Sequence, residues 1–383
     1  VAEILNEMSP DDRTALLEEL PTEVTRQVMA MLSPEERRIA ATLLGYPEDT
    51  IGRLMTPDYV RVKESWTVAR ALAHIRKYGE DKETLNVIYV IDDHGKLLDD
   101  LRIRYLLLAD PEARVSDVTD GSFVALSAWD DQEKVVGVFR EYDRVALPVV
   151  DSRGVLLGIV TFDDVMDVAE EEATEDIQML GGMEALDDPY IDTGFVQMLR
   201  KRAGWLTLLF LGQMLTANAI QFFEGRVSQA WVLVAFMPLI IASGGNSGSQ
   251  AAALVIRSLA LGEVGLRDWW RVMRREILSG LGLGAIVAAV AFVRVALEQQ
   301  FLVRAGLDNY GPHWVLLGAA LSGSLILVVM WGTLVGSMLP FLLQRAGADP
   351  AVSSTPFVST LVDVTGIVIY FSICVLVLSG SYL

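Results

Sequence analysis

Five apolar stretches fill the second half of this sequence and constrain its fold more than any other feature. Each is close to the roughly 20 residues that a helix needs to cross the hydrocarbon core of a bilayer. A backbone inside lipid must satisfy its N–H and C=O groups internally, so these stretches predict membrane-spanning α-helices. We place the spans at about 203–223, 230–256, 277–298, 314–343 and 352–379.

Asp363 lies near the middle of the last stretch. An ionised carboxylate at that depth costs about 2.5–3.5 kcal/mol, so it should face protein or water. Residues three or four positions apart lie on the same face of a helix. Counting in such steps from Asp363 predicts a stripe of polar and small residues, formed by Pro356, Ser359, Thr360, Gly366 and Tyr370. The opposite face is apolar, with Phe357, Leu361, Val364, Val368 and Phe371. An ion pathway is the favoured interpretation; a buried Asp hydrogen-bonded to a neighbouring helix is the alternative.

Charge divides the chain into two halves. Residues 1–202 carry 42 acidic and 22 basic side chains, whereas residues 203–383 carry 8 and 9. Such an acidic half argues against nucleic acid and favours cations as partners. The single cysteine, Cys374, excludes an intrachain disulfide.

The acidic half begins with short helices at residues 1–48. Ser9-Pro10 and Ser33-Pro34, each followed by acidic residues, are helix-start signals. We expect a partial helical domain, because the first residues of the chain already have a helical pattern.

Residues 49–168 contain an internal repeat with a period of about 60 residues. Trp66 matches Trp129, and Gly95 matches Gly154. Each copy predicts a strand, an amphipathic helix, a strand, a Gly turn, a strand and a helix.

A dense acidic segment lies within residues 163–200, before the first span. Eight carboxylates fall in the fourteen residues from Asp163 to Asp176, with no Lys or Arg among them. In a helix such neighbours repel one another. A helix docked through divalent cations is favoured, since hard cations bind carboxylate oxygens, and a solvated acidic linker is the alternative.

The second span contains the sequence PLIIASGGNSGSQ, from Pro238 to Gln250. Its glycines predict a weakened helix with free carbonyl groups, which is tolerated where backbone lines a cavity. Close helix packing is the alternative for these glycines, although the Gly-x-x-x-Gly pairs at Gly280 and Gly332 suit that role better.

Basic residues predict the orientation in the membrane. Three of them precede the first span at 200–202, five lie between the second and third spans, and the other side has two. The positive-inside rule therefore places the N-terminal half in the cytoplasm and the C-terminus outside the cell.

The sequence resembles the MgtE family of magnesium channels along nearly its whole length. The resemblance rests on PLIIASGGNSGSQ, on DPAVSSTPFVSTLVDVTGIVIY in the fifth span, on the paired repeats, which resemble CBS domains, and on the acidic EEEATED linker. It implies a multi-domain membrane protein: an α-helical N-terminal remnant, an α/β CBS-domain pair, an acidic connecting "plug" helix and a five-helix transmembrane domain at 203–383. It also implies a homodimer with ten spans around one pore.

The resemblance further implies that Asp363 binds hydrated Mg²⁺ on the dimer axis. Asn246 and the carbonyls of Gly244 and Gly245 could accept hydrogen bonds from its water shell. The family's regulatory magnesium sites fall on Glu133, Asp143, Asp164, Asp167, Glu172, Glu175, Asp176 and Asp349. CBS domains also imply an adenine nucleotide such as ATP, and only the second repeat carries the matching Thr161 and Asp164.

Three other functions compete with a magnesium channel. One is a channel or exchanger for Mn²⁺ or Co²⁺. Another is a membrane-anchored sensor, which does not need Asp363. An enzyme is disfavoured, because the three histidines are scattered and no nucleophile–base pair or nucleotide-hydrolysis motif is present.

Overall fold

The computed structural model describes residues 2–186, 188–227, 231–304 and 310–379. The chain divides into two compact units, Val1–Glu172 and Ala173–Leu383. Residue 230, the start of the second predicted span, lies outside the described residues, as do residues 380–383.

The first unit begins with short helices that follow the predicted start signals. Pro10 and Pro34 each occupy the first turn of a helix, and the Ser33 hydroxyl accepts the Glu36 N–H at 3.2 Å. Leu5, Leu17, Leu32 and Ala40 form a small core between these helices. The helices are α1 (Ala2–Glu7), α2 (Pro10–Glu19), α3 (Thr22–Met31), α4 (Pro34–Leu43) and α5 (Ile51–Leu54).

The two predicted repeats are confirmed as matching α/β modules. The first contains β1 (Arg61–Lys63), α6 (Val68–Tyr78), β2 (Val87–Ile91), β3 (Leu97–Arg102) and α7 (Ile103–Leu108). The second contains β4 (Leu126–Ser127), α8 (Glu133–Tyr142), β5 (Ala146–Val150), β6 (Leu156–Thr161) and α9 (Phe162–Leu180). In each sheet the first two strands are parallel and the last two antiparallel.

Glycine makes the tight turn in both repeats, as the sequence predicts. Gly95 and Gly154 have φ angles of +83° and +80°, a region that side chains with a β-carbon rarely adopt. Apolar residues from both modules, including Tyr89 and Ile159, share one buried cluster. The paired modules therefore form a single packed body.

The acidic segment forms the single helix α9, and the boundary between the two units falls within it. Val165 and Val168 are buried and contribute to the packed side of its first half. Ile177, near its end, is 70% exposed. The helix is thus amphipathic at its start and less so near its end.

The second unit contains five helices long and apolar enough to span a membrane, among the residues the structure describes. They are α10 (Phe195–Val227), α11 (Trp231–Ala260), α12 (Trp269–Arg304), α13 (Trp314–Arg345) and α14 (Thr355–Leu378). Each starts within a few residues of its predicted span, except α10 and α12, which begin about two turns earlier. Helix α13 is the central element and packs against α11, α12 and α14.

Helix α11 passes through the glycine-rich segment without a break, so the predicted weakening of this helix is wrong. The glycines act instead in close packing. A β-carbon placed on Gly332 would lie 2.5 Å from the Gly244 carbonyl oxygen, and one on Gly336 would collide with the Gly248 carbonyl. Small residues allow helix backbones to approach this closely. Such packing matters in lipid, because no hydrophobic force drives helices together there.

The predicted glycine pairs have the expected packing role. Gly280 and Gly284 of α12 face the backbone of α13, with Met330 and Ile326 Cα atoms 2.7 and 2.8 Å from an added β-carbon. Gly332 and Gly336 face α11. The alternative interpretation of the α11 glycines, close packing, is therefore correct for Gly244 and Gly248.

Helix α14 has the predicted division of faces near its middle, with Leu361 and Val368 exposed. Two assignments near its end are wrong. Phe371 is 2% exposed and lies in the main core rather than on a lipid face. Tyr370 is buried and donates a hydrogen bond to the Leu233 carbonyl at 2.8 Å, so it locks α14 to α11 and does not extend a wet stripe.

Candidate functional site

Asp363 is half-buried on α14, at a point where three helices meet. A β-carbon placed on Gly245 of α11 would lie 3.6 Å from the Oδ1 atom of Asp363. The Gln213 amide of α10 lies close enough to interact with the same carboxylate. The carboxylate thus has a polar neighbour, and part of it stays accessible.

Hydroxyl groups line the next turn towards the start of α14. The Ser249 and Ser359 hydroxyls lie 3.2 Å apart, and the Ser249 hydroxyl also donates to the Thr355 carbonyl at 3.3 Å. Ser359 lies 3.1 Å from a β-carbon placed on Gly245. These oxygens extend from Asp363 along the α11–α14 contact. They can accept hydrogen bonds from a hydrated cation.

An open groove of about 590 Å³ lies between α10 and α14. Its polar lining comes from Thr207, Gln213 and Thr360, and its apolar lining from Leu206, Leu209 and Phe210. Gln213 lines this groove and also lies next to Asp363, so the groove ends within one side chain of the carboxylate. It provides open, partly polar space near Asp363.

The structure separates the other residues predicted to surround the ion. Gly245 lies beside Asp363, but Gly244 faces α13, and its carbonyl accepts the Ser247 hydroxyl at 2.9 Å. The Gly244 carbonyl, which the sequence predicted to contact the water shell, is therefore directed towards Ser247 and α13. Asn246 is exposed on α11, and within the described residues its side chain makes no hydrogen bond to Asp363.

A second acidic site lies at the end of α9, within the second unit. Burial and the nearby carboxylates of Asp349 and Glu175 raise the pKa of Asp176 to about 6. Asp349 precedes the short helical turn before α14, where its carboxylate accepts the Ala351 N–H at 2.8 Å. Met179 and Leu180 pack on a cluster that contains Val358 and Val362 of α14. The predicted Asp176 and Asp349 are thus brought together at the membrane helices.

A third acidic site lies at the start of α9, within the first unit. Burial raises the pKa of Asp164 to about 7, and Asp11 and Asp163 add like charge. The Thr161 hydroxyl and backbone N–H both donate to Asp164. This carboxylate is therefore held in place on a surface where negative charges accumulate.

The remaining predicted regulatory residues lie on α8 and α9. Burial is the main cause of the raised pKa of Glu171, and the nearby carboxylates of Asp167, Asp49 and Glu19 raise this pKa further. The middle of α9 therefore also faces other acids. Gln132, next to Glu133, donates to Glu172 at 3.3 Å. Asp143 ends α8 in a left-handed conformation. Among the described residues, no group of three or more Asp, Glu, His or Cys side chains could hold a metal ion.

Sequence reasoning missed two contributors. Gln213 is a polar residue near the middle of an apolar span, a signal that could have been recognised in the same way as Asp363. Asp11 is 8% exposed and lies close enough to Asp164 to raise its pKa. Only tertiary structure brings α2 against the start of α9.

The three regions of the chain match known families. The MgtE family, described as a divalent cation transporter, matches residues 237–373; the MgtE intracellular N domain matches 1–49; and the CBS domain matches 51–111 and 115–171. The chain is similar to the magnesium transporter MgtE of Thermus thermophilus, with 42% identity over 91% of this chain and 75% of that protein. It is also similar to the magnesium transporter MgtE of Bacillus subtilis, with 32% identity over 96% of this chain and 78% of that protein.

Two solved structures resemble the soluble half. One is the cytosolic domain of the Mg²⁺ channel MgtE in complex with ATP, with 41% identity over 44% of this chain and 68% of that chain, and a TM-score of 0.42. The other is the soluble part of a magnesium transporter, with 33% identity over 45% of this chain and 67% of that chain, and a TM-score of 0.44. The identities and coverage of the full-length relatives show that this chain is a membrane protein of the MgtE family of magnesium transporters, which are not enzymes.

Proposed function

We propose that this protein is a homodimeric channel that admits Mg²⁺ to the cytoplasm and closes when internal Mg²⁺ is high. The observation that carries the proposal is Asp363, a half-buried carboxylate beside an open, partly polar groove between apolar helices. Such intramembrane carboxylates are costly and mark ion pathways.

The surroundings of Asp363 suit a hydrated ion. Mg²⁺ releases water reluctantly and is usually bound through one or two carboxylates with several waters retained. Ser359 and Gln213 supply uncharged hydrogen-bonding groups next to the carboxylate. In a dimer, two Asp363 side chains on the symmetry axis would match the two charges of the cation.

The transport direction follows from the driving force. An inside-negative potential favours cation entry by about 2.3 kcal/mol per charge per 100 mV, so entry needs no other energy source. The basic residues near the first three spans support a cytoplasmic location for the first unit.

Closure depends on the acidic sites of α9. Burial is the main cause of the raised pKa of Asp176 and of Asp164, and the like charges of Asp349 and of Asp11, respectively, raise these pKa values further. Mg²⁺ between two carboxylates replaces repulsion by attraction and stabilises the conformation in which they are close. The further regulatory carboxylates that we propose are Glu133, Asp143, Asp167, Glu172 and Glu175, and several weak sites would make closure steep.

Nucleotide binding is a separate proposal for the second repeat. The Thr161–Asp164 pair is in place, with the carboxylate oriented by the hydroxyl and N–H of Thr161. Calorimetric titration of the full chain with ATP tests it, and loss of heat in the Thr161→Ala variant is the expected result.

The decisive experiment is Mg²⁺ uptake into proteoliposomes. We expect Asp363→Asn to remove nearly all uptake while the protein stays dimeric by size exclusion with light scattering. Asp192→Asn, which neutralises an exposed carboxylate before α10, is the matched control and should keep normal uptake. Normal uptake by Asp363→Asn would refute the proposed pathway.

A further inference from the structure

A strongly basic surface lies at the start of α12. It is formed by four exposed arginines, which we name the arginine face: Arg267, Arg271, Arg274 and Arg275. Arg271 forms an exposed ion pair with Asp268 at 3.0 Å. Among the residues that the structure describes, Arg267 and Arg274 have no carboxylate partner. The proposed transport mechanism does not use this surface.

The arginine face points away from the rest of the second unit. On the opposite side of the same segment, Val272 packs with Val255, Leu259 and Phe341. One turn further along, the Glu276 carbonyl accepts the Thr333 hydroxyl of α13 at 3.3 Å. The protein-facing side of α12 is therefore occupied, and the arginines lie on the outer side.

Helix electrostatics make this placement unfavourable without a partner. The N-terminal end of a helix carries partial positive charge, so cations there are destabilising. Three of the four arginines lie in the first two turns of α12, and Arg267 lies in the short turn just before it. An anion bound from outside would offset both the dipole and the mutual repulsion.

Two tryptophans mark the depth of this surface. Trp269 and Trp270 are 48% and 58% exposed and contact each other edge to face, with ring centroids 5.6 Å apart. Indole rings are enriched at the level of lipid headgroups, because they are apolar with one polar N–H.

The exposed apolar side of α12 gives an independent estimate of the same depth. It begins at Leu278, one turn after Arg274, and continues through Ile286 and Val290 to Leu297. The exposed ion pair between Arg294 and Glu298 marks its far end. Leu278 to Leu297 spans about 29 Å along the helix axis. This length fits a hydrocarbon core of about 30 Å and places the arginines and tryptophans in the headgroup layer.

We propose that the arginine face, with Trp269 and Trp270 beside it, is a binding surface for the headgroups of anionic phospholipids. Guanidinium groups bind phosphate oxygens in pairs of parallel hydrogen bonds. A headgroup with net negative charge satisfies the four arginines, whereas the ammonium of a zwitterionic headgroup partly cancels its phosphate. The surface thus discriminates between lipids by charge.

Native mass spectrometry of the full chain tests the proposal, with dioleoylphosphatidylglycerol and dioleoylphosphatidylcholine at equal concentrations. We expect the wild type to retain phosphatidylglycerol over phosphatidylcholine by about tenfold. The variant with all four arginines changed to Gln should retain the two lipids about equally. The matching four-fold Arg→Lys variant should keep most of the preference, because it keeps the charge.

Arg304→Gln, at the opposite end of α12, is the control for general charge and should leave the lipid ratio unchanged. If the four-fold Gln variant does not fold, Arg267→Gln with Arg274→Gln should give an intermediate ratio. A Gln variant with the wild-type ratio, or an equal loss in Arg304→Gln, would overturn the proposal. So would displacement of phosphatidylglycerol by excess inorganic phosphate, which would indicate a site for free anions.

Discussion

Helix α9 and helix α14 both present carboxylates to neighbouring elements, but α9 has many and α14 has one. Helix α9 has eight in fourteen residues, whereas α14 has Asp363 alone. The α9 acids lie beside other acids, and their pKa values rise at Asp164, Glu171 and Asp176. Asp363 instead lies beside an amide and hydroxyl groups. Single changes should therefore be decisive on α14 and gradual on α9.

The largest expected effect concerns the shape of the site at Asp363. We expect Asp363→Glu to lower Mg²⁺ uptake at least about tenfold, because the longer side chain must reposition between Gly245 and Gln213. Asp167→Glu on α9 should change uptake and closure less than about twofold, since neighbouring acids share its role. If the two changes lowered proteoliposome uptake equally, the expected difference between α14 and α9 would be wrong.

Closure should fail only when several α9 acids are neutralised together. We expect the combined change of Asp164, Asp167, Glu172 and Glu175 to amides to leave patch-clamp currents open at millimolar internal Mg²⁺, with conductance near wild type. Each single change should shift the closing concentration by only about twofold to fivefold. Currents that close normally in the four-fold variant would show that α9 is a solvated linker.

The stability of the α11–α13 contact should depend on which glycine of α13 is replaced by alanine. We expect Gly336→Ala to destabilise the protein by about 3 kcal/mol, because the methyl group collides with the Gly248 carbonyl. Gly323→Ala is the matched control, since nothing lies within 4 Å of an added β-carbon there. Thermal unfolding in detergent measures both, and similar midpoints would contradict the close α11–α13 contact.

The smallest expected effect is a pH dependence in the paired repeats, away from the ion sites. Burial raises the pKa of Asp100 to about 6, although Arg144 lies 3.4 Å away. The folded state therefore binds more protons than the unfolded state between about pH 4 and pH 6. Stability from this group should be present at pH 4 and lost as the pH rises through 6.

Hydrogen exchange of the β3 amides, corrected for intrinsic rates and measured with a chelator, tests this expectation. We expect protection of β3 to fall by about 1.4 kcal/mol from pH 5 to pH 7.5 in the wild type. In the Asp100→Asn variant the fall should be smaller, because the titrating group is gone. Identical pH profiles for the two proteins would contradict the assignment.

Regular patterns in the amino-acid sequence were sufficient to predict the secondary structure and domain order. The lengths of the apolar stretches, the Ser-Pro helix starts and the 60-residue repeat each reflect a local requirement of the backbone, so five spans and two α/β modules followed from the sequence. The same holds for Asp363, because the cost of an ionised group in lipid restricts where it can point.

Tertiary structure decided which groups meet. The glycines around Gly244 could either open a helix or let helices approach, and only the partner helix α13, with Gly332 and Gly336 facing them, selects close packing. Tyr370 has the spacing of a polar stripe, yet its hydroxyl is used by the Leu233 carbonyl. Gln213 and Asp11 reach their carboxylate neighbours across helices distant in the chain. Sequence spacing predicts the faces of one helix, whereas the contacts between helices depend on how complementary surfaces pack.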